Sequence, residues 1–155
     1  MGTPTHDPEA QRGWLSLALK GVRQRRGLRP PEVARLMGMP LRSFEYFEGG
    51  RGPLYVDRVH RFARALDADP HAILMAVEIG SPAFAARCSD NKLMTIAAMA
   101  IQGFDESTGE AISQLDAQTL RASFEQMFNE LGRIARARAA LASGWLGREP
   151  PTEDA

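Results

Sequence analysis

The segment GMPLRSFEYFEGGRG, residues 38–52, carries the side chains best equipped for specific contact with another molecule. As a helix it places Phe44 and Phe47 on one face and spreads Leu41, Arg42, Ser43, Glu45 and Tyr46 over the rest. A guanidinium fork, two hydroxyls and a carboxylate facing outward can donate and accept directional hydrogen bonds. The chain then stops in Gly49-Gly50-Arg51-Gly52, a loop that sets a cation where the backbone can come close to a partner. Catalytic constellations are thin by comparison. His6, His60 and His71 are scattered, and the last two are not spaced as metal ligands on one helix. Cys88 has no evident base partner, and no glycine-rich phosphate loop follows a strand. Nothing implies a metal or other cofactor, and the chain reads as a binding protein rather than an enzyme.

The 155 residues suffice for one ordinary domain or two small ones, and 44% apolar content suffices for a core. The formal net charge is zero, but it hides an asymmetry. From Arg12 to Arg64 twelve Lys/Arg face four acids, Glu32, Glu45, Glu48 and Asp57. The rest carries seven basic residues against fifteen acidic ones. Regions of opposite sign suggest two jobs. A single cysteine excludes an intramolecular disulfide and a cysteine-based zinc site, and a reducing cytoplasm is the expected compartment. Residues 1–12 are polar, with Pro4 and Pro8, and do not read as a secretory leader. The most apolar window, Leu93 to Ile101, is far short of the roughly 20 residues of a membrane span.

Helical periodicity dominates the elements that must position these residues, and no strand pattern is convincing. Trp14, Leu15, Ala18, Leu19 and Val22 recur at helical spacing up to Gly27. Residues 31–37 form a second short helix that opens on proline and stops at Gly38. Pro40 opens a third, to Glu48; a fourth runs from about Tyr55 to Leu66; Asp69 caps a fifth, with Pro70 at its first position. Gly80-Ser81-Pro82 marks the expected domain boundary. Two longer helices follow, Asn91 to about Gln102 and Asp116 to about Ser143, joined by GFDESTGEA, which reads as a loop.

Within residues 30–49, Val33, Met37, Met39, Phe44 and Phe47 are apolar, Ala34 is small and Gly38 sits at the reversal. Two short helices crossing steeply need a small side chain where backbones approach and a glycine where the chain turns. With Arg23, Gly27-Leu28, Ala34, Gly38, Phe44, Glu48-Gly49-Gly50 and the run from Val59 to Leu66, the stretch from about Leu17 to Leu74 resembles the lambda-repressor-like, Cro-type (XRE) helix-turn-helix domain. The resemblance implies an all-α, five-helix N-terminal domain that binds operator DNA, with residues 40–48 as the recognition helix in the major groove. It places Leu41, Arg42, Ser43 and Tyr46 at base-contacting positions. Arg42 suits guanine best, through its O6 and N7 acceptors. Tyr46 could instead be half-buried packing, and Glu45 either accepts from a cytosine amino group or repels wrong registers. Arg23, Arg25, Arg29 and Arg51 are candidates for phosphate contact. Ala34, Gly38, Phe44 and Glu48 are structural, and the resemblance implies that Arg23 and Glu48 pair. Family members usually open the second helix with Ser/Thr and then Gln; Arg29 and Pro30 stand here, without a capping side chain. Leu36 is apolar where the family is usually polar.

The expected organisation is residues 12–80 for the DNA-binding domain, 81–147 for a helical oligomerisation or partner-binding region, and 148–155 for a disordered tail. Leu120, Phe124, Met127, Leu131 and Ile134 step at 4, 3, 4 and 3, a heptad-like seam that points to a homodimer. The region holds only one lysine, Lys92, and no strands, which argues against the self-cleaving serine–lysine domain of some repressors. The reading is a cytoplasmic, nucleoid-associated regulator of transcription, a repressor first, with double-stranded DNA as partner and no membrane association. The rival is an antitoxin-like protein-interaction module whose acidic helical half binds a protein. A ligand-gated sensor is a third possibility.

Overall fold

In the computed structural model, residues 7–147 are described, and the expected tail, 148–155, lies outside them. The described residues are all-α, as expected: α1 (Pro8–Arg25), α2 (Pro30–Leu36), α3 (Leu41–Glu48), α4 (Val56–Ala65), α5 (Pro70–Glu78), α6 (Pro82–Arg87), α7 (Leu93–Thr108) and α8 (Ala117–Leu146), with a 3-10 helix at Gly109–Gln114. They divide into two units, which part between residues 107 and 108.

The first unit has one core. Leu19 and Val22 of α1, Val33 of α2, Phe44 of α3, Val59 and Phe62 of α4 and Ile73 of α5 are fully buried. Phe44 stacks on Phe62 at 6.4 Å between ring centres, and Phe47 meets Phe62 edge-on at 6.1 Å. These rings fix α3 to α4, and aromatic pairs of this kind contribute ~0.5–1.5 kcal/mol beyond burial itself. Gly38, at φ +62°, makes the turn between α2 and α3. After α3 the chain passes so close to α1 that a Cβ on Gly50 would lie 2.2 Å from the Arg12 carbonyl oxygen; no other residue fits there.

The unit continues past Gly80-Ser81-Pro82, where the sequence reading places a boundary. Helix α6, not anticipated there, packs on α1 and α5 and buries Ala85 completely. Small residues permit this: Gly21 on α1 faces the Ala86 Cβ across a gap that a methyl group would fill to 3.8 Å. Cys88, at the end of α6, is buried, and desolvation pushes its thiol pKa up, with the Asp69 carboxylate adding to the shift.

Asp69 does more than cap α5. Its Oδ1 accepts the Ala72 N–H at 3.2 Å, and its Oδ2 accepts the Met94 and Thr95 N–H groups at 2.8 and 3.2 Å. The Thr95 hydroxyl donates to Oδ1 at 2.8 Å. One buried carboxylate therefore satisfies orphan amides of two helices, α5 and α7. The expected loop GFDESTGEA is a correction: Gly103 to Thr108 continue α7, and a 3-10 helix follows. The Gln102 amide donates to Glu106 at 2.9 Å one turn on, and the true stop is Gly109, at φ +52°.

In the second unit, Asp116 caps α8 by accepting the Thr119 N–H at 2.9 Å. Phe124, Met127, Phe128, Leu131, Leu141 and Trp145 of this 30-residue helix are exposed. Leu120 and Ile134 are intermediate.

Candidate nucleic-acid interface

Helix α3 presents two different faces. Phe44, Phe47 and Glu48 are buried, while Leu41, Arg42, Ser43, Glu45 and Tyr46 are exposed. The outward set at residues 41–46 is thus available to a partner, and the inward set anchors it.

The anchor at the end of α3 is ionic. Arg23 of α1 grips Glu48 with two parallel bonds, Nε to Oε2 at 2.7 Å and Nη2 to Oε1 at 3.0 Å. Its Nη1 donates to the Leu28 carbonyl at 3.0 Å. Both side chains are largely buried, at 13% and 7% exposure. Bidentate geometry of this kind fixes direction as well as distance. Arg61 of α4 donates to the Met37 carbonyl at 2.8 Å, closing the C-terminal end of α2.

The exposed face of α3 forms one wall of a shallow groove. Arg42, Ser43 and Tyr46 line it with Pro53, Tyr55 and Arg58. The Tyr46 ring packs against Gly52, where a Cβ would come within 3.2 Å of it. Tyr46 is therefore both a packing residue and an exposed one. The Arg58 guanidinium carbon lies 4.5 Å from the centre of the Tyr55 ring. Tyr55 and Arg58 are absent from the residues singled out in the sequence. The signal was a cation in the first turn of the helix that follows the glycine loop.

The four arginines expected at phosphates fare differently. Arg51 is exposed in its loop, and Arg29 is 80% exposed. Arg23 has all three guanidinium nitrogens engaged internally. Arg25 bonds Asp90 through Nε at 3.1 Å and Nη2 at 2.7 Å. Asp90 also accepts from Arg26 at 2.7 Å, and the hydrogen bonds from Arg25 and then Arg26 hold its carboxyl down at about 2.

At the start of α2, the capping side chain absent at Arg29 is replaced from inside the helix. Glu32 Oε2 accepts the Arg29 backbone N–H at 2.7 Å, the return half of a capping box. That bond, reinforced by the Arg29 charge, lowers the Glu32 carboxyl pKa. Leu36, apolar where the family is usually polar, is 57% exposed.

Residues 14–73 match the model of a family described as a helix-turn-helix domain. The match runs from within α1 into α5 and takes in the α2–turn–α3 unit and the whole groove. No curated protein matches the chain, and no solved structure does. No described helix is long and apolar enough to cross a membrane.

Proposed function

We propose that this protein is a sequence-specific, DNA-binding regulator of transcription of the lambda-repressor-like, Cro type, acting in the cytoplasm as a repressor that occludes a promoter. The observation that carries the reading is the α3 surface: an exposed polar and cationic face on the second helix of a helix-turn-helix, anchored by the Arg23–Glu48 pair. Helix α3 enters the major groove, where Arg42 reads guanine, Leu41 meets a thymine methyl, and Ser43 and Tyr46 complete the base contacts. Arg29 and Arg51, joined by Arg58, hold phosphates. Arg23 and Arg25 leave the phosphate set in this reading, because their guanidinium groups are already occupied by Glu48 and Asp90.

The protein acts as a homodimer joined through α8, along Leu120, Phe124, Met127, Leu131 and Ile134. Phe124, Met127 and Leu131 of this seam are 54%, 46% and 45% exposed, apolar surface that a second copy would cover. Its operator then has two half-sites about 34 Å apart. The same exposed face also supports a second reading, an antitoxin-like module that binds an unrelated protein. Selection of bound duplexes from a random pool, followed by binding measurements across a salt series, separates the two. A preferred sequence with a steep salt slope supports the regulator. Absence of duplex affinity at low salt, with a tight protein complex, supports the module.

A further inference from the structure

His60 and His71 stand eleven positions apart, and the fold brings them together. His60 lies on α4 and His71 in the first turn of α5; their ring centres are 5.4 Å apart and the planes nearly perpendicular, at 83°. Their spacing is set by packed neighbours, since Val59, Phe62 and Ala63 of α4 and Ala72 and Ile73 of α5 are buried. Both histidines are half-buried, and the one partner described for either ring is the other. No hydrogen bond or ion pair to another described residue engages either ring.

Neutral imidazole is the commonest side-chain ligand of transition metals. With metal–nitrogen bonds of about 2.0–2.1 Å, two imidazoles sharing one tetrahedral ion hold their ring centres roughly 5 Å apart. The observed 5.4 Å between ring centres is close to that spacing. We propose that His60 and His71 form a two-imidazole site for a divalent transition-metal ion of the zinc, nickel or copper class, with water completing the coordination. No group of three or more His, Cys, Asp or Glu side chains suited to a metal exists among the described residues. The site is accordingly an open one of micromolar rather than nanomolar affinity. Two nitrogen donors without carboxylates select against magnesium and calcium. A bound ion bridges α4 to α5 and stabilises the native state by mass action.

The test is calorimetric titration of the untagged full-length protein with zinc chloride and, in parallel, nickel chloride. One ion per chain is expected, with affinity falling by about tenfold or more in His60→Gln and in His71→Gln and unchanged in His6→Gln. Saturating zinc raises the melting temperature of the native protein but of neither α4 nor α5 variant, although all three melt alike without metal. No saturable binding up to millimolar zinc, binding that survives both substitutions, or binding lost with His6→Gln would overturn the proposal.

Discussion

Arg23 and Glu48, 25 positions apart, form the bidentate ion pair that ties α1 to the last turn of α3. It lies behind the groove-lining face, with its charges away from solvent. Removing one partner leaves the other as an uncompensated buried charge, at a cost of about 3–5 kcal/mol. Glu48→Ala is therefore expected to shift the urea midpoint strongly downward. Arg23→Lys recovers little, because an ammonium cannot reproduce the two parallel bonds. An unchanged midpoint in Glu48→Ala would show that the pair contributes nothing net.

The groove residues divide by what they touch in the proposed complex. Arg42→Ala is expected to cost about 1–3 kcal/mol at the preferred site and to relax preference at one base pair. Arg51→Ala and Arg58→Ala are expected to weaken all duplexes alike and to flatten the salt slope by about 1 each. Fluorescence anisotropy with preferred and scrambled duplexes over a salt series measures both. Uniform loss across sequences for Arg42→Ala would remove its base-reading role.

Asp90 supplies a pH dependence. Its folded carboxyl, held by Arg25 and Arg26, titrates at about 2, below the ~3.9 of an unperturbed aspartate. A depressed folded pKa means that the contribution is present above the unfolded value and is lost as pH falls from about 4 through about 2. Asp90→Asn is expected to be less stable than the native protein near neutrality and to converge with it at the acid end of that window. Denaturation curves at stepped pH check the sign; a variant that diverges further in acid contradicts it.

The exposed stripe of α8 predicts the effect of a single charge. Leu131→Glu places a carboxylate in the middle of the proposed seam, where desolvation disfavours it. Light scattering is expected to read a dimer for the native protein and a monomer for the variant, with the helix content of both unchanged. A native monomer at high concentration would exclude the homodimer.

Much of this architecture is legible in local chemistry. Pro31, Pro40 and Pro70 stand at or beside helix starts, Gly38 marks a reversal, and Asp69 and Asp116 cap because each acts on amides two or three residues away. The misread segments are those where local signals conflict with longer-range ones. Gly103 reads as a breaker, yet the turn it occupies is held by its helical neighbours up to Gly109. Gly80-Ser81-Pro82 reads as a boundary, yet beyond it Ala86 is small enough to sit against Gly21 and Ala85 is fully buried.

By itself the sequence determined the first five helices, the turn at Gly38, the inward Phe44 and Phe47 and the outward Arg42, because periodicity and turn chemistry act over a few residues. Only the tertiary structure decided which cations are available. Arg23 and Arg25 are spoken for by acids 25 and 65 positions away, while Arg58 comes round to line the same groove as Arg42. Charge is written in a side chain, but whether that charge is free depends on the partners that folding brings beside it.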